Sequence, residues 1–151
     1  MICIGDEDPG TEDAALLIRE LSVALALITG DSGASSFHAD DVRVPGGCFV
    51  LARDAAGRPL GCGAMRPLQP GVAELKRMYA RPETRGVGSA LLAQLERRAA
   101  AMGYQELWLE TRLVNTRATQ FYLRHGYRRI DNFGKYTGNA AAGCYAKALF
   151  T

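Results

Sequence analysis

The sequence predicts an α/β (α+β) fold, a mixed sheet flanked by helices. Two observations carry this reading. Apolar residues recur at helical spacing in Leu17-Leu21-Ala24-Leu25-Ile28 and again in Leu91-Leu92-Leu95-Ala99-Met102. Short apolar runs bounded by Gly, Pro and Asp surround these helices, in the order β-α, a β-meander, then β-α-β-α-β-β.

Each element has a local reason. Met1 to Ile4 reads as a first strand. Thr11 sits where an N-cap belongs, Glu12 and Asp13 place negative charge in the first turn, and Gly30 closes the helix. The segment from Asp31 to Gly47 is rich in Gly, Ser and Asp and reads as loop with one helical turn. Cys48 to Ala52 and Pro59 to Met65 form a hairpin around the Asp54 and Gly57 turn. A strand over Val72 to Ala80 ends at Pro82, and a helix over Gly88 to Met102 stops at Gly103. Leu107 to Thr111 alternates as a strand. Asn115 to His125 is helical, with Ala118, Phe121 and Tyr122 inward and Gly126 just past its end. Tyr127 to Ile130 and Cys144 to Leu149 complete the sheet.

Composition narrows the function classes. The 151 residues, 48% hydrophobic and 23% charged, suit one globular domain over 1–151. No apolar run reaches the roughly 18–20 residues of a membrane span, and no basic segment leads into an apolar one at the start. A cytoplasmic location and no membrane partner are the expectation. A net charge of +2 is too small to imply nucleic acid, although Lys76, Arg77, Arg81 and Arg85 cluster. Four scattered cysteines and two histidines leave no zinc set, so no metal is expected.

The segment Arg81-Pro82-Glu83-Thr84-Arg85-Gly86-Val87-Gly88-Ser89-Ala90-Leu91-Leu92 joins a strand to a helix. Glycines there let a ligand approach the backbone, and N–H groups at a helix start beside Arg85 suit a pyrophosphate. The dinucleotide fingerprint fails because Leu91 occupies its third glycine position. A Walker-type loop fails because no Lys-Ser/Thr follows Gly88.

These residues resemble the pyrophosphate loop of the GNAT superfamily of acetyl-CoA-dependent N-acetyltransferases, Gln/Arg-x-x-Gly-x-Gly/Ala. Downstream, Asn115-Thr116-Arg117-Ala118-Thr119-Gln120-Phe121-Tyr122 and Gly126-Tyr127 look like that family's second signature, in the right order and spacing. The likeness spans roughly Gly47 to Leu149. It includes Glu74-Leu75-Lys76-Arg77-Met78-Tyr79 and Phe133-Gly134-Lys135-Tyr136, as in a bacterial small-molecule subgroup. Two registers of the loop are open. In one, Arg85 takes the Gln/Arg position with Gly88 and Ala90. In the other, Gly86 and Gly88 are the paired glycines, Glu83 takes that position, and the loop is about two residues shorter than in relatives. The second register aligns the apolar face of the helix better.

The resemblance implies a mostly antiparallel sheet of six to seven strands with about four helices. It also implies acetyl-CoA as cosubstrate and transfer to a primary amine, by direct attack, on a small-molecule acceptor. A protein amine, a non-catalytic acyl-CoA sensor and a homodimer stay open. Implied cofactor contacts are Met78, Tyr79, Ala80, Arg85, Gly86, Val87, Gly88, Ser89, Ala90 and Asn115. Implied catalytic residues are Tyr122 as general acid and Glu74 as base, with Glu110 in reserve. A phenol near pKa 10 can donate to a thiolate whose thiol is near 8.5, and a partly buried carboxylate can have a raised pKa. His125, at a helix end, reads as structural.

Overall fold

The computed structural model describes residues 1–149. Seven strands, β1 (Cys3–Asp6), β2 (Cys48–Arg53), β3 (Pro59–Gln69), β4 (Val72–Ala80), β5 (Glu106–Arg112), β6 (Arg128–Ile130) and β7 (Ala142–Ala148), form one sheet in the order β1-β2-β3-β4-β5-β7-β6. Every neighbouring pair is antiparallel except β4–β5, which is parallel. There are three α-helices, α1 (Glu12–Thr29), α2 (Val87–Ala101) and α3 (Thr116–Arg124), and three short 3-10 turns, Ala34–Ser36 and Ala39–Val42 between α1 and β2 and Gly134–Tyr136 between β6 and β7. The helical content therefore divides into three α-helices and three such turns. No helix among the described residues is long and apolar enough to cross a membrane.

Local signals hold where they are chemical. The Thr11 hydroxyl accepts from the Ala14 N–H at 3.3 Å, and Gly30 closes α1 at φ 82°. The Asn115 side chain caps α3 through the Ala118 N–H at 3.3 Å. Several boundaries differ: β3 runs on to Gln69 rather than ending at Met65, and β7 spans Ala142–Ala148 rather than Cys144 to Leu149. β1 begins at Cys3 rather than Met1 because its ends are set by pairing with β2, Cys3 to Arg53 through Asp6 to Val50, and not by its own apolar content.

Two layers of helix cover the sheet. On one face, Val87, Leu91, Leu92, Leu95 and Ala99 of α2 and Tyr122 of α3 pack on Val50, Met65, Ala73, Leu75, Leu107 and Leu109. On the other, Ala14 and Leu17 of α1 pack on Phe49, Leu51, Cys62 and Ala64. Tyr136, Ala142 and Cys144 form a third cluster with Phe133 and Ile130.

Strand β4 carries the feature that positions the site. Ala64 pairs with Lys76 but Cys62 pairs with Tyr79, so Arg77 and Met78 together oppose Gly63. This is a β-bulge, and Arg77 adopts φ 53°. The bulge interrupts the alternation, so Lys76 and Arg77 both leave the α2 face, while Met78 rejoins it beside Leu95. Beyond Glu74, β4 and β5 separate. Their pairing is confined to Val72–Glu106, Ala73–Leu107 and Glu74–Trp108, after which β4 follows β3 and β5 follows β7.

Close approach of α2 to β3 also requires a missing side chain. A Cβ on Gly61 would lie 2.4 Å from the Tyr79 carbonyl oxygen and 2.9 Å from Val87. Backbone cannot yield as a side-chain tip can. Gly61→Ala is expected to destabilise the protein by about 3 kcal/mol. That corresponds to a drop in Tm of roughly 6–10 °C for a chain of this size, measurable by thermal unfolding followed by circular dichroism.

Candidate active site

Where β4 and β5 part, a cavity of about 380 Å³ passes through the sheet. Its walls come from both layers. Leu75, Met78, Leu109, Asn115 and Tyr122 belong to the α2–α3 side, and Glu74, Lys76, Arg77, Glu110 and Tyr136 to the α1 side. The loop after α1, with Asp31, Gly33 and Phe37, closes the second side.

Of the residues implicated by sequence, Glu74, Glu110, Met78, Asn115 and Tyr122 line this cavity together. Tyr79, Ala80, Arg85, Gly86, Val87, Gly88, Ser89 and Ala90 do not. Ala80 lies at the end of β4, and the rest of the group, apart from Tyr79, forms the turn into α2. The Tyr79 side chain points to the α1 face, where its hydroxyl donates to Glu20 at 3.0 Å. Glu20 also holds Arg81 at 2.7 Å, fixing the start of the glycine turn to α1.

The turn itself matches the second register. Gly86 is the N-cap of α2 at φ 72°, Val87 is the first helical residue, and Val87, Leu91, Leu92 and Leu95 are buried. The first intrahelical bond runs from Ala90 N–H to the Gly86 carbonyl at 3.0 Å. No side chain caps the helix. The N–H groups of Val87, Gly88 and Ser89 are thus the open donors of this terminus. A Cβ on Gly88 would meet Phe121 at 3.4 Å, so the glycine lets α2 seat against α3. Arg85 is exposed beside this terminus. His125 has a structural contact set. Its Nδ1 lies 2.8 Å from the Phe121 carbonyl and its Nε2 3.0 Å from the Ser89 hydroxyl. A carbonyl only accepts, so Nδ1 carries the proton, and in the neutral ring Nε2 accepts from Ser89.

Tyr122 is a buried residue at the cavity wall, and its hydroxyl has neither a hydrogen-bond partner nor a charged neighbour among the described residues. Burial alone pushes its pKa above the ordinary phenol value. The ring is held edge-on by Phe121 and Tyr127 at 5.1 and 5.6 Å. Tyr122 therefore stays protonated at any working pH.

On the other face, Glu74 is 1% exposed and fully engaged. Arg66 donates to its Oε1 at 2.8 and 2.9 Å, and the Tyr136 hydroxyl donates to its Oε2 at 3.2 Å. The same Tyr136 hydroxyl accepts from Lys76 Nζ at 3.0 Å, and Lys76 Nζ lies 3.4 Å from Oε2. Burial lowers the Lys76 pKa against the opposing pull of Glu74. Glu110 is different. Burial raises its pKa, and the adjacent Arg112, which donates to it, only partly offsets the shift. Arg66 and the reach of Tyr136 were not readable from spacing, because the contacts cross 8 and 62 positions of chain. Among the described residues no three His, Cys, Asp or Glu side chains could share a metal ion.

A parallel strand pair that splays over a cavity, followed by an uncapped glycine turn into a helix, defines the acyl-CoA N-acyltransferase class of fold. Comparison with known proteins agrees. Residues 19–127 match the family model of the acetyltransferase (GNAT) family. The chain is 33% identical over 142 residues to an IAA acetyltransferase of Azospirillum brasilense, covering 89% of this chain and 90% of that one. It is 34% identical over 92 residues to an uncharacterized N-acetyltransferase of Schizosaccharomyces pombe, covering 59% of this chain and 56% of the other's length. A solved structure from Klebsiella pneumoniae subsp. pneumoniae MGH 78578, assigned to the acyl-CoA N-acyltransferases, superposes with a TM-score of 0.83 at 27% identity over 99% of both chains. The chain belongs to the acetyltransferase (GNAT) family. Acyltransferase chemistry with acetyl-CoA as the acyl donor goes with that membership.

The Tyr136 hydroxyl joins two buried charges, so its loss leaves both under-coordinated. Tyr136→Phe is expected to lower the unfolding free energy by about 2 kcal/mol, with the slope against denaturant unchanged in urea titrations.

Proposed function

We propose that the protein transfers the acetyl group of acetyl-CoA to the primary amine of a small molecule by direct attack within one ternary complex. The observation that carries this reading is the cavity running through the β4–β5 gap, with Tyr122 at one end and Glu74 and Glu110 at the other. A volume near 380 Å³ suits a small acceptor better than a polypeptide segment. Its lining contains no cysteine to carry the acyl group, which favours direct attack.

The residues present fit the cosubstrate. The open N–H groups of Val87, Gly88 and Ser89, with Arg85 beside them, suit the pyrophosphate. The backbone of Met78, Tyr79 and Ala80 borders the gap, where β4 has no β5 partner, and can pair with an extended amide-bearing arm. Asn115 lines the same gap. Acetyl-CoA supplies an activated carbonyl carbon. The neutral amine bonds to that carbon, the carbon–sulfur bond breaks, the ammonium proton leaves to a base, and the thiolate gains a proton.

Three assignments follow from the site's electrostatics and hydrogen bonds. Glu110, whose pKa is raised by burial, is the group suited to take the amine proton, directly or through water. Glu74 already accepts from Arg66 and Tyr136, which makes it the anchor of the acceptor face. Tyr122 holds the departing sulfur. Even at an ordinary phenol pKa, full transfer to a thiolate is uphill by about 1.5 units, roughly 2 kcal/mol. Burial widens this gap. Tyr122 thus acts first as a hydrogen-bond donor, and the proton follows as the product leaves.

The test is thiol release from acetyl-CoA across a panel of amines, with products identified by mass spectrometry. Tyr122→Phe should lower kcat on the order of 100-fold while leaving the calorimetric Kd for CoA unchanged. Thiol release at the wild-type rate would remove Tyr122 from the chemistry. CoA binding without release for any amine would make the protein a binding module.

The base assignment sets a pH dependence. The base must be ionised, so kcat/KM should fall as pH drops through the Glu110 pKa, which lies above the usual glutamate value of 4.5. Glu110→Gln should abolish that acidic limb and lower the plateau. A limb that persists unchanged in Glu110→Gln but disappears in Glu74→Gln would move the role to Glu74.

A further inference from the structure

Arg77 combines two costs at one position. Its residue is 8% exposed, yet no carboxylate pairs with its guanidinium among the described residues. Its guanidinium makes a long bond from Nη1 to the Ser32 carbonyl at 3.4 Å and faces the Phe37 ring, whose centroid lies 5.9 Å from Cζ. Burial pulls its pKa below the ordinary value, the signature of a cation short of compensation. The backbone at Arg77 is also left-handed, at φ 53°, where a glycine or asparagine would be less strained. An unpaired buried charge and a strained φ each destabilise the empty protein. The Ser32 carbonyl, the Phe37 ring and the more distant charge of Asp31 offset only part of this, since burial remains the largest influence on the guanidinium.

The acids of the cavity are matched. Arg66 neutralises Glu74, and Arg112 neutralises Glu110 and lies 3.7 Å from Asp31. Asp31 also accepts the Gly33 N–H at 2.9 Å. That leaves Arg77, joined at the cavity wall by Lys135, as positive charge without a partner. The planar fork of a guanidinium presents two parallel N–H donors, the geometry of a carboxylate. Gly33, without a side chain, leaves room next to that fork. A Cβ there would stand 3.7 and 3.9 Å from its two terminal nitrogens.

Building on the acetyl-transfer reading, we infer that the acceptor is an amino-carboxylate and that Arg77 binds its carboxylate across from the amine. The bulge in β4 turns Arg77 onto the acceptor face and holds it between the Phe37 loop and the gap. Arg77 is thus a specificity residue. It binds the end of the acceptor that does not react.

The experiment compares matched acceptors that share an amine and differ in the second group. Amino acids, their carboxamides and the corresponding aminoalkyl phosphates are each assayed with acetyl-CoA, against wild type, Arg77→Met and Arg77→Lys. The carboxylate member is expected to exceed the carboxamide by about 30-fold or more in kcat/KM. Arg77→Met should erase that preference mainly through KM, and Arg77→Lys should restore part of it. Because Met keeps the buried stem and removes the uncompensated charge, the Tm of Arg77→Met should equal or exceed that of wild type. A wild-type preference for the carboxamide or the phosphate would overturn the inference and leave acetyl transfer standing. So would an unchanged preference in Arg77→Met. Should no amine be acetylated, calorimetry of the same amino acids on CoA-loaded protein decides separately. Binding lost in Arg77→Met supports the carboxylate site while the transfer reading falls, and no binding to wild type overturns the site as well.

Discussion

The parting of β4 from β5 after Glu74 is the constraint on which the rest of the molecule depends. A parallel pair shares its ladder for three residues only, and each strand then follows a different neighbour. Backbone groups on the facing edges lose their partners at that point, and polar groups in such a gap must be met by water or by ligand. The bulge at Arg77 and Met78 adds a bend to β4 that its partner does not share. An opening of this kind gives access to one point from both faces of a sheet. Two ligands can then meet inside it while each is held by a different layer of the fold. Transfer between a large cofactor and a small acceptor needs that arrangement, because neither has to leave before the other enters.

The two carboxylates of the acceptor face show how neighbours divide labour between like groups. Glu74 and Glu110 are both largely buried, with side chains 1% and 13% exposed. Burial disfavours the ionised form of Glu110. What separates them is the count of donors. Glu74 receives two nitrogens of Arg66 and a phenol, and Lys76 stands close by, so its charge is compensated from several directions. Glu110 has Arg112, which is shared with Asp31, and desolvation outweighs that help. A carboxylate compensated on every side is a scaffold. One left short of donors is available to accept a proton.

Much of the fold was legible because it rests on local chemistry. Thr11 and Asn115 cap helices as their residue types suggest, Gly30 ends α1, and the Leu91-Leu92-Leu95 stripe faces the sheet. The nearness of Tyr122 and Glu74 to one cavity was likewise legible, since each sits in a motif of recognisable spacing. The partners that set their properties were not. Arg66 and Tyr136 reach Glu74 from an adjacent strand and from a distant turn, and no local pattern encodes such contacts. The bulge left one trace. Strict alternation along Glu74-Leu75-Lys76-Arg77 would put Arg77 on the apolar face with Leu75. A charge at a core position is either an error of register or a break in it. Here it is the break, and the residue it misplaces is the one that carries the anomalous charge.

Three unmet polar groups outside the strand edges share one polarity. The N–H groups at the start of α2, the hydroxyl of Tyr122 and the guanidinium of Arg77 are donors, and they lie in sequence from the glycine turn, through the gap, to the loop after α1. The acids along the same path already have cations or phenols on them. Folding tends to pair every buried polar group, so a run of donors left open selects what can fill it. A ligand pair rich in acceptor atoms meets this condition, with phosphate oxygens at one end, a thioester in the middle and a carboxylate at the other. A polyamine, which brings only further donors, does not. The chemistry of the acceptor is therefore constrained from the protein side before any substrate is tried, by the sign of what the fold leaves unsatisfied.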